Sequence, residues 1–123
     1  MNYILKHDGI RIINKMLNKR IRDFYVYNRL IKKHFNIKTN IPIFISNDVL
    51  LLPTKSYKAY DCIWVNYYEI KDMLKDEKKT IIRFKNGEVK VFDIKIGKLK
   101  RIIRDALIIK EYFMNFECES VIN

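Results

Sequence analysis

The stretch Ile41-Pro-Ile-Phe-Ile-Ser-Asn-Asp-Val-Leu-Leu-Leu-Pro53 decides the fold, because a polar turn separates two short apolar runs. Residues 41–45 and 49–52 are too few for helices and rich in branched side chains. They predict two strands, each at a sheet centre or buried on both faces. Ser46-Asn47-Asp48 is predicted to be a turn, since Asn and Asp hydrogen-bond their own backbone and tolerate left-handed dihedral angles. Pro42 suits the first residue of a strand, and Pro53 closes the second strand.

A further strand and a hairpin are predicted downstream. Residues 62–68 alternate in side-chain character, as in a half-buried strand. One side would hold Ile63, Val65 and Tyr67, and the other Trp64, Asn66 and Tyr68. Residues 80–85 and 88–94 flank Asn86-Gly87, which is a strong hairpin signal because a type I′ turn needs positive φ at both central positions. The charged residues 71–79 are predicted to be a connection with one helical turn.

Helices are predicted on both sides of these strands. Asp8-Gly9 indicates a turn, and residues 10–17 have the apolar spacing of a helix, although residues 10–12 would also suit the start of a strand. Residues 24–37 predict an amphipathic helix with Arg29, Lys32 and Lys33 facing outward. Its inward face would hold Phe24, Tyr27, Leu30, Ile31 and Phe35. After Gly97 breaks the last strand, residues 98–116 carry a wide apolar stripe typical of a long helix packed on a sheet.

Together these elements predict one α+β domain over residues 1–123. It would contain a mostly antiparallel β-sheet of five to six strands, an N-terminal helical segment and a long C-terminal helix packed on the sheet. We expect residues 117–123 to form a frayed tail. The sequence contains no apolar run long enough for a membrane span and no signal-peptide pattern, so we expect a cytoplasmic protein with no membrane partner.

Net charge is the strongest compositional signal. The formal net charge is +11, and residues 1–60 hold twelve Lys or Arg against three Asp or Glu. Residues 61–123 hold thirteen against eleven. A basic half beside an almost neutral half indicates a surface for a polyanion, most often nucleic acid. Genomic bias toward Ile, Lys, Asn and Tyr is the alternative, although it does not explain the scarcity of acidic residues in the first half.

The usual motifs of catalysis are missing from the sequence. Three glycines cannot form a phosphate-binding loop, and no His or Cys pair is spaced for zinc. We therefore predict no enzymatic activity, no metal site and no cofactor. Cys62 is expected to be a small buried hydrophobic residue and Cys118 a surface thiol, rather than partners in a disulfide.

Several motifs in order resemble the ComK family of competence transcription factors. They are a proline-led apolar strand, a short polar turn, a strand ending in Pro53-Thr54, a Ser-containing bridge, Cys62-x-Trp64, the run Ile81-Ile82-Arg83-Phe84-Lys85-Asn86-Gly87 and the C-terminal helix. The resemblance extends from about residue 20 to residue 113. It implies a transcription regulator that binds A/T-rich duplex DNA, largely through phosphate and minor-groove contacts, and that acts as a homo-oligomer.

The cations expected to contact DNA lie in the basic half of the chain. The predicted set is Lys19, Arg20, Arg22, Arg29, Lys32, Lys33, Lys55 and Lys58. These side chains would share the phosphate contacts. Arg22 or Arg29 is the candidate for insertion into a narrow minor groove, because arginine is less strongly hydrated than lysine. An oligomer interface is predicted on the last helix at Ile102, Ile109, Tyr112 and Phe113.

Two other functions stay open on sequence grounds. The first is a protein-interaction module that pairs with a larger transcription regulator through the apolar stripe of the last helix. The second is a single-stranded nucleic-acid binder, in which aromatic side chains beside lysines stack on bases. Its stacking candidates are Tyr57, Tyr60, Trp64 and Tyr68.

Overall fold

Two helices near the start and one at the end enclose a run of strands in the part of the chain that a computed structural model describes. That part is residues 1–17 and 23–122, with the side chains of residues 1–5, 9–17 and 23–115. The elements are β1 (Tyr3–Leu5), α1 (Lys6–Leu17), α2 (Phe24–Phe35), β2 (Ile43–Ser46), β3 (Val49–Pro53), β4 (Ile63–Asn66), a 3₁₀ turn (Tyr67–Glu69), β5 (Ile70–Asp76), β6 (Lys79–Phe84), β7 (Val89–Phe92) and α3 (Ile96–Ile122). The buried apolar residues of these elements form one core cluster. The predicted α+β class is confirmed.

The described strands form two antiparallel sheets, ordered β1-β4-β3-β2 and β5-β6-β7, and not the single sheet of five to six strands that was predicted. The β2–β3 hairpin confirms the two strands predicted from the central stretch, with Pro42 just before β2 and Pro53 at the end of β3. The predicted connection over residues 71–79 is wrong, because most of it is the strand β5, paired with β6. β5 is an edge strand with mostly exposed charged side chains, so its sequence resembles that of a solvated loop.

Strand β4 is buried on both faces, and the half-buried strand predicted there is wrong. It lies between β1 and β3, and Trp64, Val65 and Asn66 are at most 1% exposed. The polar Asn66 is accommodated because its side chain is fully hydrogen-bonded. Its Oδ1 accepts from Leu50 N, and its Nδ2 donates to Met1 O and Asp48 O, each at 3.1 Å.

The β6–β7 hairpin turns at Asn86-Gly87, as predicted, but not through a type I′ turn. Gly87 has a φ of 94°, whereas Asn86 is not among the described residues with positive φ. Gly87 N donates to Phe84 O at 3.0 Å, and Phe84 N donates to Glu88 O at 2.8 Å. This pattern is typical of a longer loop, in which a turn is followed by a left-handed glycine that forms a bulge.

Gly9 lies inside α1, so the turn predicted at Asp8-Gly9 is wrong. A Cβ added at Gly9 would lie 2.4 Å from Cζ3 of Trp64. The glycine is therefore needed for the close approach of α1 to β4 rather than for a turn. On the same side of the sheet, the ring centroid of Phe24 in α2 lies 6.0 Å from that of Trp64.

Helix α3 packs mainly on β3 and β2. Leu99, Ile102, Ala106 and Ile109 are fully buried in this contact, which accounts for much of the predicted stripe. The second sheet joins the core through Tyr3, whose ring centroid lies 6.0 Å from that of Phe84 and 6.1 Å from that of Phe92.

The hydroxyl of Tyr27 holds α2 against the edge strand β2. It donates to Pro42 O at 2.8 Å and accepts from Phe44 N at 3.0 Å. Burial raises the pKa of this fully buried hydroxyl, and the bond from Phe44 N opposes that rise. Since the hydroxyl occupies backbone groups beside the outer strand of the sheet, it acts as an incoming strand would and helps to close that edge.

Candidate nucleic-acid interface

The interface is centred on α2, whose two ends are set by side-chain and backbone capping. Asp23 is the N-cap residue, and its Oδ1 accepts from Val26 N at 2.8 Å. Asn14 of α1 accepts from Phe24 N, also at 2.8 Å. The helix ends at Asn36, which adopts a left-handed φ of 55° that asparagine tolerates. The amphipathic helix predicted over residues 24–37 is therefore confirmed as Phe24–Phe35.

The exposed face of α2 is basic. Arg29, Lys32 and Lys33 are exposed, as predicted, and they line a shallow groove along the helix. Leu30 lies in the same groove and is 40% exposed, so its predicted inward orientation is wrong. Residues 24–47 contain no Asp or Glu, and no acidic residue of α2 reduces this positive charge.

A cavity of about 230 Å³ lies beside α2, where three segments of the chain meet. Lys32 comes from α2, Lys38 from the loop that follows the helix, and Lys58 from the bridge between β3 and β4. All three lysines are exposed, and none of the described residues that line the cavity is Asp or Glu. Residues distant in sequence thus form one positively charged opening, which is the arrangement that a phosphate group would stabilise.

Two loops hold Lys38 and Lys58 in place. Asn36 and Asn40, with φ values of 55° and 52°, enclose the short segment that carries Lys38. The bridge is closed by Thr54, whose hydroxyl donates to Ile63 O at 2.9 Å. Within the bridge, Ser56 Oγ accepts from Lys58 N at 3.3 Å. The backbone geometry of both loops is therefore determined by short polar side chains, as is usual in turns.

Lys55, also predicted to contact DNA, is instead neutralised within the protein. Its Nζ forms an ion pair with Asp61 and a second one with Asp93, whose Oδ2 lies 3.0 Å away. The hydrogen bonds that Lys55 donates to the carboxylates of Asp61 and Asp93 raise the pKa of its ammonium group, and the bond to Asp61 lowers the pKa of that carboxyl group. Two carboxylates outweigh one ammonium group, so this position is a poor phosphate contact.

The remaining cations of the predicted set, Lys19, Arg20 and Arg22, all lie outside the described residues. Lys38 lines the cavity but was missed by sequence reasoning, because it lies alone in a loop rather than in a basic cluster or on a helix face. The asparagines at 36 and 40 were the available signal, since they indicate an ordered loop around it.

The predicted oligomer interface is only partly accessible. Ile102 and Ile109 are fully buried within the protein and cannot contact a partner. Phe113 is half-buried and stacks on Phe44, with ring centroids 5.7 Å apart. Tyr112 is 46% exposed. The side chains of α3 that do face outward include Leu107, Ile108, Tyr112 and Met114.

The aromatic candidates for base stacking are dispersed. Trp64 is fully buried, whereas Tyr60 is 91% exposed. Tyr68 lies under Lys110, whose Nζ is 4.9 Å from the ring centroid, and Tyr57 is at the cavity. These four side chains therefore do not form one stacking platform.

The described part of the chain contains neither a metal-binding cluster nor a membrane-spanning helix. No group of three or more His, Cys, Asp or Glu there is placed to hold a metal ion. Among the same residues, no helix combines the length and apolar character that crossing a membrane requires.

Comparison with known proteins gives one family match. The family model described as "ComK protein" matches residues 1–115. The chain is also 29% identical over 119 residues to a Caenorhabditis elegans protein described as uncharacterized, an alignment that covers 89% of this chain. The chain spans only 12% of that relative's length. No solved structure matches the chain.

Proposed function

The chain belongs to the ComK family of competence transcription factors, and from that premise we propose that it binds A/T-rich duplex DNA through the exposed cations of α2 and of the adjoining cavity. The observation that carries this proposal is the convergence of Lys32, Lys38 and Lys58 on one opening. Arg29 and Lys33 extend the same positive charge along the helix. Such a surface suits the backbone phosphates, which supply most of the sequence-independent affinity for DNA.

Arg29 is the described residue best suited to the minor groove. It is exposed on α2, and a guanidinium group gives up its hydration more readily than an ammonium group. Narrow A/T-tract minor grooves have an enhanced negative potential that attracts arginine. Arg22 remains a second candidate on sequence grounds, and Lys55 is left out of the proposed set because of its two ion pairs.

Fluorescence anisotropy with A/T-rich duplex, G/C-rich duplex and single strands, at several salt concentrations, tests this proposal. Lys32→Gln and Lys58→Gln should weaken binding to both duplexes, and each should reduce the slope of log affinity against log salt by about one. Arg29→Gln should also reduce the preference for A/T over G/C. Lys100→Gln is the matched control, since Lys100 is an exposed lysine on α3, away from the cavity.

Two results of the anisotropy measurements would contradict the proposed binding of duplex DNA through α2. If Lys32→Gln, Lys58→Gln and Arg29→Gln all bind like the parent, with an unchanged salt slope, then α2 does not face DNA. A preference for single strands over both duplexes would instead support the single-stranded nucleic-acid function. In that case the A/T-rich duplex proposal is wrong.

We further propose that two copies associate through the outward face of α3. The supporting observation is a set of apolar side chains that the protein's own core leaves exposed: Leu107, Ile108, Tyr112 and Met114. Ile108→Lys should shift the mass measured by light scattering from a dimer toward a monomer, because it places a charge in the contact. Arg104→Lys, which keeps the charge of an exposed residue on the same helix, is the control. A parent chain that is monomeric throughout contradicts this proposal and favours pairing with another regulator.

A further inference from the structure

The cavity beside α2 contains two side-chain amide atoms whose hydrogen-bonding capacity is unused. Asn28 is only 6% exposed, and its Oδ1 has no hydrogen-bond partner among the described residues. The Nδ2 of Asn40 is buried and equally without a partner among those residues. Both asparagines line the cavity. Buried polar groups are nearly always paired in native proteins, so an unpaired acceptor and an unpaired donor in one cavity need an explanation.

The residues that line the cavity include two neutral side-chain amides and three lysine ammonium groups. Asn28 and Asn40 line the cavity and each carries an unpaired buried amide atom, whereas Lys32, Lys38 and Lys58 line it as exposed cations. A ligand that fits both parts carries a negative charge at one end. At its other end it presents a hydrogen-bond donor and a hydrogen-bond acceptor.

We propose that this cavity binds a nucleotide unit, with the edge of the base on Asn28 and Asn40 and the phosphate on the three lysines. Every nucleobase presents a hydrogen-bond donor beside an acceptor on its pairing edge, which complements the Oδ1 acceptor and the Nδ2 donor. Tyr57 lines the same cavity and offers a ring for stacking. Neither amide is needed for phosphate contacts with a duplex, so the inference goes beyond the proposed function.

The size of the cavity fits a base but not a whole nucleotide. Its volume of about 230 Å³ is below the roughly 300–1,000 Å³ of typical small-molecule sites. The base therefore occupies the interior, and the sugar and phosphate remain at the lysine-lined opening. A free mononucleotide and an unpaired nucleotide within a DNA strand supply the same chemistry, and the experiment has to separate these two sources.

Trp64 provides the readout. It is the only tryptophan of the chain, and it is one of the residues that line the cavity. We would titrate the parent protein with the four 5′-mononucleotides, ribose 5-phosphate and inorganic phosphate, and excite the fluorescence where nucleotides do not absorb. A short single strand and a fully paired duplex complete the set. Nucleotides should change the Trp64 emission at lower concentrations than ribose 5-phosphate or inorganic phosphate.

Two substitutions test the amide contacts. Asn28→Leu removes an unpaired buried acceptor, so it should leave Tm unchanged or raise it while weakening nucleotide affinity about fivefold, the equivalent of one hydrogen bond. Asn40→Gly removes the donor and accommodates the φ of 52° without strain. It should weaken nucleotide affinity by a similar factor. Lys38→Gln should weaken nucleotides and inorganic phosphate alike, and Lys100→Gln should change neither.

Each result of these titrations either supports or contradicts the proposed nucleotide pocket. The proposal that the cavity binds a nucleotide is wrong if nucleotides and inorganic phosphate give equal responses. It is also wrong if Asn28→Leu and Asn40→Gly both bind nucleotides as tightly as the parent does. No response to any mononucleotide or to the single strand would overturn it too, while duplex binding that depends on Lys32 would leave the proposed function intact. Nucleotide binding without duplex binding would support the nucleotide pocket and contradict the proposed duplex binding. A response to mononucleotides identifies a free nucleotide as the source, and a response confined to the single strand identifies an unpaired nucleotide of DNA. Either one supports the inference.

Discussion

Replacing Tyr27 with Phe removes one hydroxyl and leaves two buried backbone groups unpaired. In the parent protein that hydroxyl bridges Pro42 O and Phe44 N beside the edge strand β2. Leaving a buried donor or acceptor without a partner costs about 1–3 kcal/mol. Two such groups would cost at most about 6 kcal/mol, and the variant no longer has to bury the hydroxyl itself, so we expect Tyr27→Phe to lower the free energy of unfolding by about 2–4 kcal/mol. At about 4 °C per kcal/mol for a domain of this size, Tm falls by about 8–16 °C.

Circular dichroism during thermal and urea unfolding measures this change, and hydrogen exchange should show the amide of Phe44 losing protection. Tyr60→Phe is the matched control, because Tyr60 is 91% exposed and its hydroxyl should be worth less than about 0.5 kcal/mol. The fold has to be intact in both variants for the comparison to hold. A Tyr27→Phe protein as stable as the Tyr60→Phe control would refute the role of this hydroxyl in closing the sheet.

The same residue gives the protein an alkaline limit. Burial raises the pKa of Tyr27 above its ordinary value of about 10. Above that pH the unfolded chain loses the proton while the folded protein keeps it, so the folded state binds more protons and stability falls as pH rises. The contribution is complete below pH 10 and is lost as pH rises through the folded-state pKa. In Tyr27→Phe this part of the alkaline loss should be absent, and identical alkaline slopes in parent and variant would contradict it.

Three further changes have definite expected results. Gly9→Ala should lower stability by about 1–3 kcal/mol in urea unfolding, although alanine is the better helix former, because its Cβ would meet the ring of Trp64 at 2.4 Å; a stabilised variant would show that α1 can shift away. Gly87→Ala should lower the free energy of unfolding by about 1 kcal/mol because of the φ of 94° alone, since no atom lies within 4 Å of the added Cβ. Gly97→Ala in helix α3 is the control and should not lower the free energy of unfolding. Asp93→Asn should release Lys55 from one of its two ion pairs and tighten duplex binding at low salt, and an unchanged affinity would mean that the bridge does not approach DNA.

The sequence predicted best where periodicity and turn residues agreed. The β2–β3 pair, the amphipathic helix α2 and the hairpin at Asn86-Gly87 all have local signals that the tertiary structure does not override. The errors came from residues whose role depends on a distant partner. Glycine is typical of turns, but Gly9 lies in a helix against Trp64. Asparagine is typical of protein surfaces, but Asn66 is buried and hydrogen-bonds to Met1, Asp48 and Leu50.

The candidate site was predictable only in part, for a related reason. An amphipathic pattern shows which side chains leave a helix toward solvent, and Arg29, Lys32 and Lys33 do so. It cannot show which distant loop will face them. Lys55 and Lys58 are three residues apart in one bridge, yet one is paired with two carboxylates and the other lines the cavity. That difference depends on Asp93, which follows β7 and approaches Lys55 only in the folded protein.

The charges of β5 also have a consequence for handling the protein at high concentration. β5 is an outer strand of the second sheet, and an outer strand can pair with a strand of another molecule and start aggregation. Lys71, Lys75 and Asp76 are exposed along it, and burying such charges between two molecules is unfavourable. Surface engineering intended to aid crystallisation or to reduce non-specific binding should therefore leave these side chains in place. The exposed lysines of α3, such as Lys100, are safer positions, because a helix has no open backbone edge to protect.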